Sequence, residues 1–262
     1  FSEFTMTDSR IIGCTASDNG GGVAVDPACK FTMDNGSEIR SCTARMGGGV
    51  YINGGDTNGN GVFTLRNGAI LSCTADTSGF VPSRGGGVFN VGAFIMESGT
   101  IKGCTSIKDD SSTGGVLNRR EFTMRGGTIG KEDKTDESHV YNDANTAAVF
   151  TISGAARIYT NVANNSRLNA YGGEISGEVK NAVDSRYAVI TGTEGGSTEF
   201  SGAVINSEAG TIAGGTFTHT VTNNVNTVTN NVGTILGGDF SKATLSGQLA
   251  ITFEPNNGAK SS

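Results

Sequence analysis

The sequence predicts an all-β chain: a right-handed parallel β-helix (solenoid) of about ten coils over residues 1–250. Three observations predict it. One short block recurs along the chain, its apolar and polar residues alternate with the period of a strand, and glycine punctuates it too often for a helix. Self-similarity at intervals of this size is the mark of a repeat architecture.

The block reads Phe4-Thr5-Met6, Phe31-Thr32-Met33, Phe63-Thr64-Leu65, Phe94-Ile95-Met96, Phe122-Thr123-Met124 and Phe150-Thr151-Ile152. Phe and Met share a parity and are expected to point inward, with the residue between them pointing out. An isoleucine follows each block: Ile11, Ile39, Ile70, Ile101, Ile129 and Ile158. In four copies a cysteine comes next, Cys14, Cys42, Cys73 and Cys104, followed by Thr and then Ala or Ser. A Gly-rich run then leads to Val23, Val50, Val88 and Val116. Glycine inside a helix costs about 1 kcal/mol relative to alanine, so these runs argue against helical repeats.

The second half carries a weaker version. Ala170-Tyr171-Gly172-Gly173-Glu174-Ile175, Ile212-Ala213-Gly214-Gly215-Thr216-Phe217 and Ile235-Leu236-Gly237-Gly238-Asp239-Phe240 align with Met124-Arg125-Gly126-Gly127-Thr128-Ile129. This places Ala170, Ile212 and Ile235 in the methionine row, with one degenerate copy near Ile190. A coil of roughly 20 residues holds three short strands and three turns. Coils stacked about 4.8 Å apart give a rod roughly 48 Å long and align equivalent side chains in rows.

Composition narrows the function classes. With 41 glycines, no Gly-X-Y period and 17% charged residues, neither collagen nor disorder fits. Net charge is −6 and the basic residues do not cluster, so no nucleic-acid partner is expected. No apolar run reaches the length of a membrane helix, so no membrane insertion is expected either. A chain that opens on Phe1 without a signal peptide reads as a piece of a longer protein.

The pattern F-T-M-x-x-G-x-I-x-x-C-T-A, followed by G-G-G-V, resembles the β-helix repeats of large adhesin-like surface proteins of gut Firmicutes and related bacteria. It is similar, more distantly, to the repeats of chlamydial polymorphic outer membrane proteins, although Gly-Gly-Gly-Val replaces their first motif and their F-x-x-N motif is irregular here. The resemblance covers residues 1–165 well. Ile251-Thr252-Phe253-Glu254-Pro255-Asn256-Asn257-Gly258 resembles the opening of a Listeria–Bacteroides repeat, so residues 251–262 read as a linker or the start of a further small module. These resemblances imply an extracellular protein of the bacterial cell surface, with other domains of the same chain at the C-terminus. A glycan or host surface protein would be its partner. The alternative is a carbohydrate-active enzyme, a polysaccharide lyase or glycoside hydrolase, on the same fold. No catalytic motif, cofactor or metal site carries over.

Several rows carry candidate chemistry. Cys14, Cys42, Cys73 and Cys104 form a line, read as a buried thiol stack, with disulfides or a metal ladder as alternatives. Cys29 stands apart from this line and would meet Cys14 or Cys42 only by chance geometry. Asn90, Asn118 and Asn142 each lie two residues after a row valine and are expected to bond to one another along the stack. Between them lies a row that faces outward by alternation: Ala24, Tyr51, Phe89, Leu117 and Tyr141. Tyr51, Phe89 and Tyr141 are the candidate ligand-binding residues, as an exposed aromatic strip for sugar or peptide; covering by neighbouring loops is the other reading.

The acidic runs Lys108-Asp109-Asp110 and Lys131–Glu137 read as solvated loops, since no acid recurs on one row as the paired carboxylates of a hydrolase would need. His139 and His219 have no visible catalytic partner. The alternating Thr216, Thr218, Thr220 and Thr222 fit strand propensity better than an ice-binding array. Insertions at 76–84, 107–113 and 130–139 share one corner of the coil and form a candidate binding ridge.

Overall fold

The computed structural model describes residues 2–55, 59–76, 83–107, 114–144, 147–181, 188–192, 198–207, 210–223, 234–236 and 238–247. The chain is a parallel β-helix. Its described strands form two ten-stranded sheets, one of nine strands and one of three, all paired in parallel between successive coils.

The first wall, the Phe sheet, runs from Glu3–Thr7 and Lys30–Asp34 through to Thr234–Ile235. Its register sets Phe4, Phe31, Phe63, Phe94, Phe122 and Phe150 on one line, with Met6, Met33, Leu65, Met96, Met124 and Ile152 on the next. From the second coil on both rows face the interior, while Phe4 in the first is exposed; Phe63, Leu65, Phe94, Met96 and Met124 are fully buried. Neighbouring rings stack, with Phe122 and Phe150 centroids 4.6 Å apart. The second wall, the Ile sheet, begins at Arg10–Ile12 and carries the isoleucine row inward. The third, the Val–Asn sheet, runs from Val23–Val25 to Thr244–Gly247 and lines up Val23, Val50, Val88, Val116, Val140, Val162, Val179, Val204 and Val221.

A fourth wall exists only in the early coils. Thr43–Ala44, Thr74–Ala75 and Thr105–Ser106 pair with one another, and Thr15 bridges to Thr43. The chain turns into this wall through one left-handed residue per coil: Gly13, Ser41, Ser72 and Gly103. It leaves through the Gly-Gly-Gly corner. There Gly47 is also left-handed, and a Cβ on Gly48 would fall 2.3 Å from the Thr74 carbonyl oxygen of the next coil. The glycines are therefore needed for coil-to-coil backbone contact.

Beyond the fourth coil the cross-section narrows to three walls. Ile158 is followed directly by the turn into Val162–Asn164, and no strand between them matches Thr105–Ser106. The core adjusts to the change. The methionine row shrinks from Met124 through Ile152 and Ala170 to Gly192, and the Phe row passes to Leu168, Ile190, Ile212 and Ile235. The isoleucine row grows in return: Ile175 is followed by Phe200 and Phe217, whose rings stack at 4.8 Å. A Cβ on Gly215 would lie 2.6 Å from the Phe200 ring, so the enlarged row fills the volume that the shrinking row vacates.

This register corrects the sequence alignment in one place. Ile212 and Ile235 pair in line with Leu168 and Ile190, two residues from the methionine row expected for them. A shift of two preserves the inward parity, so the hydrophobic pattern alone could not detect it. The degenerate copy near Ile190 is a full coil, with its strand at Ala188–Gly192. The boundary at 251–262 lies outside the described residues.

Candidate functional site

Each candidate row proves to be a continuous line, and each is built differently. The thiols come first. Cys42, Cys73 and Cys104 are buried and Cys14 is exposed; none of the five cysteines, Cys29 included, is in a disulfide. The Cys73 thiol donates to Ile39 O at 3.7 Å and Cys104 to Ile70 O at 3.8 Å, so the sulfurs bond to the backbone of the preceding coil. Burial pushes the Cys42 thiol up to about 11. The hydrogen bond shared with Cys73, together with burial, holds Cys104 well above the ordinary thiol range. Among the described residues no group of three or more His, Cys, Asp or Glu side chains is placed to hold a metal.

The asparagine row extends well past the three residues visible in the sequence. Asn90 donates to Asn118, Asn118 to Asn142, Asn142 to Asn164, Asn164 to Asn181, Asn181 to Asn206 and Asn206 to Asn223, each at 2.7–2.9 Å and each buried. The same amides also reach backbone carbonyls at the turn: Asn118 Nδ2 contacts Val149 O at 3.1 Å. Later members escaped the sequence reading because their spacing shifts with coil length. In the first two coils the row is apolar, Val25 and Ile52.

Asp136 corrects the solvated-loop reading of the run 131–137. It is buried, and its carboxylate accepts Gly103 N–H at 2.8 and 3.0 Å. Ser138 Oγ accepts Cys104 N–H at 2.9 Å. In the coil above, the equivalent Ser72 N–H is bonded by the next coil's Lys102 carbonyl. Asp136 and Ser138 thus close the wall that ends at coil four. Lys134 pins the same segment by donating to Ser176 O at 2.6 Å. The expected ridge is therefore partly a structural seal at 130–139. Its parts at 77–82 and 108–113 lie outside the described residues.

The aromatic row is brought together as expected, in the register Ala24, Tyr51, Phe89, Leu117, Tyr141, Ala163. It faces away from the main core, but its exposure differs from the expectation. Phe89, Leu117 and Tyr141 are buried in a second apolar cluster, edged by the partly buried Met46, Tyr51, Val91 and Ala163. The Arg119 guanidinium lies 6.0 Å over the Phe89 ring and is held by Asp143 at 2.5 Å. Phe89 and Tyr141 consequently do not form an open strip.

Tyr51 does remain accessible. Its ring stacks on Phe89 with centroids 5.6 Å apart and planes 11° from parallel, and it is half-buried. On its other side stands Ala24, exposed and too small to cover a ring. The strand before Ala24 is entered past Asp18, which pairs with Arg45. The strand after it leads to the exposed Asp26. Burial, then the Asp18 and Asp26 charges, raises the Tyr51 hydroxyl above its ordinary value, set against Arg45 and Arg119, which lower it.

Glu3, Asp34, Glu38 and Glu97 sit in surface ion pairs between adjacent coils: Lys30 with Glu3 at 2.8 Å, Arg10 with Glu38 at 3.4 Å, and Arg66 with both Asp34 and Glu97. Among the described residues no helix is long and apolar enough to cross a membrane. Comparison with protein-family models, with curated proteins and with solved structures gives no match to this chain.

Proposed function

We propose that this chain is a rigid, adhesin-like rod of an extracellular bacterial surface protein, which binds a glycan or a host surface protein through the side of its Val–Asn sheet. One observation carries the reading: Tyr51 is a partly open aromatic ring fixed on a strand whose neighbours are locked by stacking, with charged side chains on both flanks. A side chain held this way loses little freedom on binding, which favours affinity. The uninterrupted pairing of ten strands in two walls supports the role of a stiff support.

The test is a binding screen of the purified chain against an array of host and microbial glycans and against immobilised host-cell membrane proteins. Saturable binding without product release is expected. Release of new reducing ends or unsaturated sugars would replace this reading with a carbohydrate-active enzyme. Absence of binding to either surface would leave only a spacer.

A further inference from the structure

Along the outer row of the Val–Asn sheet each coil supplies one side chain, and from Tyr51 to Tyr141 that side chain is large. The rungs repeat about every 4.8 Å, close to the spacing of stacked rings. Tyr51 has a ring on one side only. On the other, the rung belongs to Ala24, whose single methyl is too small to cover a ring, and Tyr51 is only half-buried.

The borders of the space over Ala24 are polar. Asp18 and Arg45 stand at the end where the strand begins, linked as an ion pair that offers both acceptor oxygens and N–H donors. Asp26 stands where the strand ends, two residues past Ala24 and exposed. Met46 adds an apolar edge. A planar apolar surface with donors and acceptors at its rim is the complement of a pyranose, which has C–H groups on one face and hydroxyls around its edge. An aromatic side chain would stack equally well but would use none of the rim donors and acceptors.

We infer that the space over the Ala24 methyl, against the open side of the Tyr51 ring, is a binding subsite for one uncharged pyranose ring, stacked on Tyr51 and hydrogen-bonded by Asp18, Arg45 and Asp26. This rests on the glycan-binding reading above and names its contact. The two carboxylates disfavour acidic sugars.

The experiment uses the whole chain and saturation-transfer NMR with four probes: the methyl β-pyranosides of glucose, galactose, N-acetylglucosamine and mannose. Alongside the wild type stand Tyr51→Phe, Tyr51→Ala and Ala24→Tyr. At least one probe should bind the wild type. Tyr51→Phe should keep affinity within about twofold, and Tyr51→Ala should weaken it roughly tenfold, as expected for losing one stacking contact. Ala24→Tyr should fill this space from within, abolish binding and leave the melting temperature equal or higher. If Ala24→Tyr does not fold, the two Tyr51 variants decide. Equal binding by wild type, Tyr51→Ala and Ala24→Tyr would overturn the subsite while leaving glycan binding elsewhere on the rod intact. Binding of N-acetyl-tryptophanamide with no pyranoside response would overturn the sugar assignment. Failure of all probes, together with an empty glycan array, would overturn both the subsite and the reading beneath it.

Discussion

Asp136 accepts two hydrogen bonds from the single N–H of Gly103, thirty-three residues earlier in the chain, at 2.8 and 3.0 Å. The pair marks where a four-walled solenoid becomes a three-walled one. A parallel wall that stops must satisfy the N–H groups its next strand would have bonded, and here one carboxylate and one serine hydroxyl do so.

Asp136→Ala should therefore destabilise the chain by about 2–3 kcal/mol, the range for losing hydrogen bonds to a charged acceptor at a buried site. Asp136→Asn keeps one acceptor oxygen and should lose less. Urea denaturation checks this; an unchanged midpoint in Asp136→Ala would mean that the seal is incidental.

The asparagine row gives a second expectation. Asn118→Leu should cost about 2–4 kcal/mol, because it strips a partner from Asn90 and from Asn142 and frees Val149 O in a buried setting. The apolar Val25 and Ile52 at the same row position show that leucine is tolerable where no polar neighbour depends on it. Thermal melts of Asn118→Leu beside Ile52→Leu separate the two situations, and similar losses in both would contradict the account.

The exchange of volume between rows makes a coupled prediction. Gly215→Ala should destabilise by about 1–3 kcal/mol, since its Cβ would strike the Phe200 ring and its φ of +124° disfavours a side chain. Adding Phe200→Leu should recover part of the loss. A double-mutant cycle measures the coupling, and strict additivity would show that the two rows do not compensate.

How much of this was legible in the sequence follows from what repeats. Phe, Ile and Val sit at equivalent places in six or more coils, so their rows and inward parity could be read directly. The narrowing of the rod could not, because Ala170, Gly192 and Gly214 carry no hydrophobic signal and become meaningful only beside Phe200 and Phe217. The burial of Phe89 and Tyr141 in one cluster depends on Arg119 and Met46, which other coils bring to it. Asp136 looked like one more charge in a polar run because the N–H groups it seals belong to the previous coil. Tyr51 and Ala24 were legible as neighbours on one row, but the contrast between a half-open Tyr51 and a buried Phe89 appears only once the coils are stacked.

The thiols should divide by burial. Cys14 should react promptly with a disulfide reagent at neutral pH, while Cys42, Cys73 and Cys104 should react only as the chain unfolds. Cys42 is held protonated in the folded chain up to about 11, against an ordinary value of 9.0. Its stabilising contribution is therefore complete below about pH 9 and is lost as pH rises towards 11. Cys42→Ala should flatten the fall of stability across that window. An unaltered slope would assign the alkaline loss to other groups.

The parallel stacking of coils is the central claim, and backbone nuclear Overhauser contacts test it most directly. In-register parallel ladders bring Phe94 beside Phe122 and Phe122 beside Phe150, Asn118 beside Asn142, and Ile129 beside Ile158. Inter-strand contacts between the Hα and amide protons around these pairs are the predicted result. Contacts that instead join sequence-adjacent strands in antiparallel register, such as Ala93–Met96 with Thr100–Lys102, would contradict it.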